Sequence, residues 1–580
     1  MAMAMDETTY LAEMHARWQR AWPERAPRTP QYPLGRQPLT QMLRHWARTR
    51  PDRPAVIFYG HETTYAELDA QSDRCAALLA AHGIGPGDRV AVLMPNCPQF
   101  HIVFFGILKL GAVYVPISPL SQRAELQHAL ADSTPRALIA LDQLVPLVRE
   151  TRAALGTQDP LALLFSTSFA DVIPAEPTLP LPPMVQAPRH DCEAAGHAID
   201  LLRAMAACTH AAPATPASLD AVAALNYTGG TTGLPKGCIH TQGDMVDMAA
   251  AFGAVSLDMA DDSVMLGFFP EFWIAGENLC LIFPAFFGIP LVLLARWDPE
   301  TFMAAVQRYQ VTNASMLVDN AVEVMEHPRA AQYALRSLRY VGVSSFVKKL
   351  NLPYRRAWQA LTGSVIAETA WGMTETQTCN TFAYGMQDDD LDLRAQPIFV
   401  GLPVPGTEFK ICDFASGELL PPGAEGELCV RTPTLLKGYW NKPEATRESL
   451  RNGWFHTGDI GLIDEHGYLH YLGRRKEMLK VNGMSVFPAE IEALLGQHPA
   501  ILGSAVLGRA DEDRGQLPVA FVMLKPEAVG TVDNAALVQW CRANMAVYKV
   551  PLVHIVDALP LTATGKVRKQ DLAPLAEQLG

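Results

Sequence analysis

The chain of 580 residues is long enough for a large domain followed by a smaller one. Hydrophobic residues make up 49% of it and charged residues 18%, which excludes a disordered protein, and the formal net charge of −13 disfavours broad binding to nucleic acids. The ten cysteines include no C-x-x-C pair, which argues against a disulfide or zinc framework and favours reduced thiols in the cytoplasm.

The predicted elements begin with an alternation of strands and helices. Residues 55–59 and 89–94 form short apolar runs that predict buried strands, and residues 65–83 between them have helical periodicity. The pattern continues with a predicted helix at 100–110 and recurs over 299–317. This alternation predicts an α/β fold with parallel pairing of strands.

A Pro- and Ala-rich stretch at 174–216 predicts a long surface excursion with one helix near 198–207. Its side chains His190, Asp191, Cys192, Glu193 and His197 offer metal ligands, but their place in the excursion favours an ordinary loop. The acidic run at 388–392 lacks the spacing of an EF-hand and is expected to be a solvated loop.

An apolar run at 279–295 raises the question of a membrane span. Pro284, Gly288 and Pro290 interrupt it, and it is shorter than the ~20 residues that a spanning helix needs. We therefore expect a buried helix that turns at Gly288 into a buried strand at 291–294. The first ten residues include acidic side chains and no apolar stretch, so no secretory signal is expected.

The most informative segment is Y-T-G-G-T-T-G-L-P-K-G at 227–237. Its glycines let backbone N–H groups approach an anion, while its threonine hydroxyls and its lysine add donors and positive charge. A Walker P-loop opens a helix after its lysine, whereas Pro235 and Gly237 would break one. We therefore expect a flap that closes over a polyphosphate with Thr228, Gly229, Gly230, Thr231, Thr232, Gly233 and Lys236.

Further motifs follow in chain order: W-G-M-T-E at 371–375, G-W-F-H-T-G-D at 453–459, G-R-R-K-E at 473–477, F-P-A-E-I-E at 487–492, and P-L-T-A-T-G-K at 560–566. From about Pro38 onwards the chain resembles the adenylate-forming superfamily of acyl-CoA synthetases, adenylation domains and luciferases, and above all fatty acyl-CoA ligases. The resemblance implies a large N-terminal domain of β-sheets flanked by helices at 1–474. It also implies a small mobile α+β C-terminal domain at 475–580.

The resemblance also implies roles at the nucleotide. Glu375 would bind Mg²⁺, a hard cation suited to a carboxylate, and Thr374 would reach the α-phosphate of ATP. Asp459 would accept both ribose hydroxyls, and Arg474 would donate to the ribose or a phosphate from the other side. Trp371 would lie beside the adenine.

Lys566 is expected to be catalytic together with Lys236, Thr374 and Glu375. In the family, the matching lysine reaches both the substrate carboxylate and the α-phosphate, where it stabilises charge in the transition state. The resemblance places a hinge at Lys476, about which the small domain rotates between two half-reactions. It also places Gly483 on the route of the CoA thiol in the second half-reaction.

Three segments depart from the family pattern. Gln242 stands where many members carry histidine, so a histidine role there is expected to be lost. Trp273 also replaces a frequent histidine, and G-V-S-S-F at 342–346 replaces Gly-Gly-Ala-Pro. We expect Trp273, Gly342 and Phe346 to border the acyl pocket and to influence which acid is used.

The sequence therefore predicts an ATP- and Mg²⁺-dependent acyl-CoA synthetase that forms acyl-AMP and pyrophosphate, then acyl-CoA and AMP. A medium- or long-chain fatty acid is the favoured substrate, and an aryl or arylalkanoic acid is the alternative. Other rivals are an acyl-AMP ligase that loads a carrier protein, a catalytically silent nucleotide-binding regulator, and a membrane-embedded transporter. The expected partners are small molecules and not nucleic acids, while a homodimer and peripheral contact with a membrane stay open.

Overall fold

Two seven-stranded sheets form much of the chain in the computed structural model, which describes residues 6–213, 218–228, 235–368, 371–395, 398–511, 513–562 and 564–579. The strands of the first sheet, in spatial order, are Ile366–Glu368, Tyr340–Ser344, Asn313–Leu317, Met265–Gly267, Leu291–Leu293, Pro54–Phe58 and His61–Thr64. Those of the second are Ile199–Asp200, Leu163–Thr167, Ala137–Leu141, Arg89–Leu93, Val113–Pro116, Val222–Tyr227 and Gly237–Thr241. Each sheet is parallel except for the antiparallel pair at its last edge.

The longer α-helices pack on these sheets and around the smaller ones. Their bounds are Glu7–Ala21, Leu39–Thr49, Tyr65–Ala81, Pro98–Leu110, Arg123–Ser133, Val145–Leu155, Leu201–Ala207, Gln242–Met248, Pro299–Tyr309, Val318–Met325, Leu352–Thr362, Pro443–Ser449, Pro488–Leu495, Asn534–Asn544 and Lys569–Gln578.

The helix Pro98–Leu110 shows why the core forms where it does. Proline occupies its first turn, where no backbone donor is lost, and Gly111 ends it in the left-handed conformation with φ 72°. Every residue of this helix is buried, and Phe100, Phe104 and Phe105 are at most 1% exposed. Truncating one such ring to alanine would cost about 3–5 kcal/mol, so this helix anchors the large core.

A third, antiparallel sheet carries part of the site. It consists of Thr381–Phe382, Phe399–Pro403, Leu469–Arg474, Trp454–Ile463, Gly426–Arg431 and Glu408–Cys412, with Leu450–Arg451 beside Trp454–Ile463. The register of its two long strands sets Asp459 opposite Arg474. A separate two-stranded ladder joins Gly372–Met373 to Thr378–Cys379.

The C-terminal part has a sheet and an apolar core of its own. Its five strands are Met484–Val486, Leu479–Val481, Gly515–Leu524, Ile501–Asp511 and Leu552–Ile555. Val481, Ile491, Val506 and Leu537 are all completely buried in that core. The predicted fold class, a large α/β part with a smaller α+β part, is confirmed, while the boundary between residues 474 and 475 stays a prediction.

The apolar run takes the predicted course. A π-helix at Glu277–Ile282 leads into the helix Phe283–Phe287, Gly288 reverses the chain with φ 67°, and the strand Leu291–Leu293 follows. Within the described part of the chain, no helix has the length and apolar character needed to cross a membrane.

The N-terminal helix Glu7–Ala21 precedes the region of resemblance and was not predicted. It packs on the third sheet, where the indole of Trp18 donates to the carbonyl of Gly467 at 3.0 Å and Glu7 pairs with Lys410 at 2.6 Å. Asp6 caps it by accepting from the backbone of Thr9. The N-terminus is thereby attached to the same sheet that carries Asp459.

Candidate active site

The two ends of the predicted phosphate loop meet in a hairpin. Tyr227 and Gly237 are paired across antiparallel strands, so the chain leaves and re-enters the sheet at one point. The backbone N–H of Thr228 donates to the carbonyl of Lys236 at 3.0 Å, and the N–H of Lys236 donates to the Thr228 hydroxyl at 3.2 Å. Gly229, Gly230, Thr231, Thr232 and Gly233 lie outside the described residues.

A tyrosine connects the loop lysine to the predicted metal ligand. The Lys236 ammonium lies 4.1 Å from the ring centroid of Tyr439, and the Tyr439 hydroxyl donates to Glu375 Oε1 at 2.9 Å. Burial and the nearby Glu375 carboxylate raise the pKa of Tyr439 far above its ordinary value, so the hydroxyl keeps its proton and remains a donor. No motif in the sequence singles out Tyr439, which lies 64 residues from Glu375 along the chain.

His240 contacts the residue that precedes Glu375. Its Nε2 lies 2.8 Å from the carbonyl oxygen of Thr374, and its Nδ1 lies 3.3 Å from a carboxylate oxygen of Asp244, which also pairs with Lys437 at 2.7 Å. Both ring nitrogens of His240 therefore face an oxygen atom, one of the backbone and one of a carboxylate. The strand thus places a histidine two residues before Gln242, where sequence reasoning had expected a histidine role to be lost.

Asp459 has the environment expected of a ligand for hydroxyl groups. It is 4% exposed, its Oδ2 accepts from the indole of Trp371 at 2.9 Å, and its Oδ1 lies 3.4 Å from Arg474 Nε. That Oδ1 is buried without a hydrogen bond. Burial raises the pKa of Asp459 to about 6 despite Arg474 and Trp371, which both favour the charged form. An orphaned buried acceptor of this kind fits the hydroxyl groups of a ribose.

Trp371 and Arg474 hold Asp459 from two sides. Trp371 is buried, and its ring meets Phe409 edge-on at 5.4 Å between centroids. Arg474 leaves 42% of its side chain exposed. Burial works against its charge, but Asp459 and the other acidic neighbours, Tyr471, Glu477 and Glu375, together raise the pKa of Arg474, so the guanidinium stays charged.

Lys566 reaches this cleft from the C-terminal part. Desolvation and the Arg474 charge lower the pKa of Lys566, while Asp459, Glu375 and Glu477 partly restore it. The residue is nevertheless exposed by surface area. The two observations together describe an ammonium that is crowded by protein but still reached by water. Its Nζ lies 5.2 Å from the ring centroid of Phe346.

The three predicted acyl-pocket residues lie near one another: Phe346 is beside Lys566, Trp273 is beside Phe346, and Gly342 is on the strand before Phe346. The ring centroids of Trp273 and Phe346 are 6.4 Å apart, and Phe269 lies 5.5 Å from Trp273 on the other side. Gly342 is buried on the strand Tyr340–Ser344, which continues into Phe346. The structure therefore places Phe346 next to both Trp273 and Lys566.

The hinge and the CoA route lie at the surface. Lys476 is exposed in the short helix Arg475–Glu477, directly after the strand that ends at Arg474. Gly483 is exposed in the turn between Leu479–Val481 and Met484–Val486, with φ 78°. The described contacts do not join Gly483 to Lys566 or to the nucleotide residues.

Two other groups of charged residues have structural explanations. Asp390 and Asp392 each accept from the buried Arg355 guanidinium at 2.9 Å, so the acidic run serves an ion-pair network. Among the described residues, Glu427, Cys429 and His456 bring ligand atoms within 4.8 Å of one another. His456 Nδ1 lies 2.8 Å from Glu427 and 3.4 Å from the Cys429 sulfur, which makes a hydrogen-bonded trio on the third sheet.

Comparisons with known proteins agree with this arrangement. Residues 43–440 match the family described as AMP-binding enzyme, and residues 490–566 match the AMP-binding enzyme C-terminal domain. The chain belongs to this family of AMP-binding enzymes. The expectation of an adenylate-forming enzyme is confirmed.

Particular relatives cover almost the whole chain. A long-chain-fatty-acid–CoA ligase of Bacillus subtilis is 30% identical over 96% of this chain and 97% of its own length. A feruloyl-CoA synthase of Amycolatopsis is 33% identical over 91% of this chain and 96% of its own. Among solved structures, an anthranilate CoA ligase in complex with anthranoyl-AMP is 26% identical with a TM-score of 0.80, over 94% of this chain and 98% of that one. These names confirm the predicted class of enzyme, a carboxylic acid–CoA ligase.

Proposed function

We propose that this chain activates a carboxylic acid with ATP and Mg²⁺ as an acyl-AMP and then transfers the acyl group to CoA. The observation that carries the proposal is the pairing of Asp459 with Arg474 at 3.4 Å, with Lys566 of the C-terminal part near enough for both charges and for Glu375 to influence its pKa. An anionic acid and an anionic nucleotide repel each other, and these groups supply the charges that bring them together.

ATP would be held from both ends. Asp459 accepts the ribose hydroxyls, Arg474 closes over the ribose or a phosphate, and Trp371 borders the adenine. The loop from Thr228 to Lys236 grips the phosphates that leave as pyrophosphate. Glu375, which accepts a hydrogen bond from the Tyr439 hydroxyl, would hold Mg²⁺, and the ion would supply charge neutralisation on the phosphates.

The first half-reaction is an in-line substitution at the α-phosphorus. A carboxylate oxygen of the acid bonds to that phosphorus while the bond to the bridging oxygen of pyrophosphate breaks, and pyrophosphate takes the electron pair. Lys566 contacts the carboxylate and the α-phosphate and stabilises the charge that builds up between them. Thr374 orients the α-phosphate with its hydroxyl, while its carbonyl is held by His240.

The second half-reaction uses the same adenylate. The CoA thiol releases its proton to water and its sulfur bonds to the acyl carbonyl carbon. The bond from that carbon to the AMP oxygen breaks, and AMP leaves with the electron pair. Lys566 is not needed for this step in the proposed mechanism, because no bond to the α-phosphorus forms or breaks. Rotation about Lys476 would withdraw Lys566 and bring the Gly483 turn towards the thiol route.

A medium- or long-chain fatty acid is the proposed substrate, supported by the similarity to a fatty-acid ligase over nearly the full chain. An aryl acid is the second candidate. The observation in its favour is the pair of rings, Trp273 and Phe346, that stands beside the lysine expected to receive the carboxylate. Flat rings stack on such faces better than alkyl chains do.

The test is a pyrophosphate-release assay over a panel of saturated fatty acids, cinnamic acids and benzoic acids, with and without CoA. Release with fatty acids of eight or more carbons, at a rate about tenfold above that with aryl acids, would support the first substrate. The reverse order would support the second. Absence of release with every acid would refute ligase activity, and acyl-AMP that accumulates in the presence of CoA would indicate a carrier-protein acceptor.

A further inference from the structure

A short segment of the large N-terminal part, residues 346–349, meets the C-terminal part directly. We call it the docking segment. It follows the strand Tyr340–Ser344 and contains Phe346, Val347, Lys348 and Lys349. The segment begins at Phe346, the last residue of the stretch at 342–346 that departs from the family pattern.

Val347 is buried among residues of the C-terminal part. It is 6% exposed and belongs to an apolar cluster whose other buried members are Ala505, Val519, Phe521, Leu559, Leu572 and Ala576. Side chains alternate along the strand Ile501–Asp511, so Gly503 and Ala505 point to the same face. Val347 is thus an apolar side chain of the large N-terminal part that packs into an apolar cluster of the C-terminal part.

Gly503 leaves the space for this side chain. A Cβ added at Gly503 would lie 2.4 Å from Val347 Cγ1, far inside van der Waals contact. Gly503 is absent from the positive-φ glycines, so its backbone would accept alanine. The glycine is therefore required by the space that Val347 fills.

Two further contacts lie on either side of Val347. A Cβ at Gly496 would lie 2.9 Å from Lys349 Cβ, so the chain also approaches closely there. At the other end, a Cβ at Gly565, the residue before Lys566, would lie 2.8 Å from Leu317 Cδ1. The catalytic lysine is carried on a loop that is held against the large part by these approaches.

We propose that Val347, seated against Gly503, is a positioning residue that holds the C-terminal part in the orientation in which Lys566 reaches the adenylation site. The proposal rests on the proposed function for the role of Lys566. Val347 itself touches neither nucleotide nor acid, and acts through the placement of the lysine. The docking segment also links this contact to the acyl wall, because Phe346 touches both Trp273 and Lys566.

The test is a double-mutant cycle. Gly503→Ala should lower kcat for acid-dependent pyrophosphate exchange about tenfold or more, because the added methyl group meets Val347 and displaces the domain. Val347→Ala removes the opposing methyl groups, so the double variant should recover at least about fivefold over Gly503→Ala. Gly85→Ala is the matched control, since a Cβ there would meet only Asp88 Oδ2 at 3.9 Å.

Two readouts separate positioning from general damage. Thioester formation from supplied acyl-AMP should stay within about twofold of wild type in Gly503→Ala, because that step does not need Lys566. Trypsin cleavage in the exposed connection at Arg475 and Lys476 should be faster in Gly503→Ala and return towards the wild-type rate in the double variant.

The outcomes are distinct. Unchanged exchange and unchanged cleavage in Gly503→Ala would overturn the proposal, and so would a loss that Val347→Ala does not relieve. Equal loss in both half-reactions would show damage to the fold instead of positioning. If the wild type exchanged no pyrophosphate with any acid, the proposed function would fail, and the cleavage rates would still decide whether Val347 and Gly503 set the docking.

Discussion

The hydrogen bond from Trp371 to Asp459 makes a sharp prediction for Trp371→Phe. The lost bond is 2.9 Å long and its acceptor is a buried carboxylate. A bond to a charged group contributes about 1.5–3 kcal/mol, which equals about 1–2 pKa units. The pKa of Asp459, about 6 in the structure, should therefore rise to about 7–8 in the variant.

The consequence is a change in how ATP binding depends on pH. The ribose hydroxyls need the ionised carboxylate, so binding is lost as pH falls through the pKa of Asp459. At pH 7 about nine-tenths of the wild-type carboxylates are ionised, and about half or fewer in the variant. We expect the KM for ATP to rise about two- to tenfold at pH 7 and to recover near pH 9.

The measurement is acid-dependent pyrophosphate exchange from pH 5.5 to 9 at several ATP concentrations. Trp22→Phe is the control, because its indole donates to the carbonyl of Ala26 at 2.9 Å and has no part in the site. The same inflection in Trp371→Phe and wild type would refute the reasoning. A KM raised equally at every pH would show that Trp371 acts by packing alone.

Three further predictions concern single groups. Lys566→Ala should lower adenylation by about a thousandfold and leave thioester formation from supplied acyl-AMP within about twofold, measured as separate half-reactions; equal losses would refute its assigned role. Tyr439→Phe keeps the ring beside Lys236 but loses the hydroxyl that donates to Glu375. This variant should raise the Mg²⁺ concentration needed for half-maximal exchange about three- to tenfold. An unchanged Mg²⁺ dependence would contradict a role of this hydrogen bond in positioning Glu375. Burial raises the pKa of the completely buried Glu277 to about 7. Its contribution to folding stability is therefore fully present below the pKa that Glu277 has in the unfolded chain, and it is lost as pH rises through about 7. Thermal unfolding should show wild type losing about 3 kcal/mol between pH 5 and 9 and Glu277→Gln losing clearly less, whereas parallel curves would exclude this origin.

Much of the site could be predicted because its groups sit in short local motifs. Residue type and neighbours within a few positions are enough to single out the loop at 227–237, Glu375 and Asp459. The fold class followed in the same way, since alternating strands and helices leave a periodic pattern in the chain. The apolar run at 279–295 shows that even its helix, turn and strand could be anticipated from Gly288 and the flanking prolines.

The supporting residues could not be predicted because their partners are remote in sequence. Tyr439 meets Glu375 across 64 residues, and His240 meets Thr374 across 134. Neither residue has a motif around it that names its partner. The family pattern led to the expectation that a histidine role was lost at Gln242, but His240, two positions earlier, bonds to Thr374.

The sequence by itself determined the chemical inventory of the candidate site: a loop rich in glycine, threonine and lysine at 227–237, the carboxylates of Glu375 and Asp459, and the ammonium of Lys566. Residue type and local spacing suffice for this, because the functional group of a side chain is fixed by its residue type and not by its position in the fold. Only the tertiary structure decided which groups meet. The register of two strands sets Asp459 opposite Arg474, and the seat of Val347 on Gly503 brings Lys566 to the cleft. Such proximities depend on close packing between distant segments, which no local pattern in a single chain encodes.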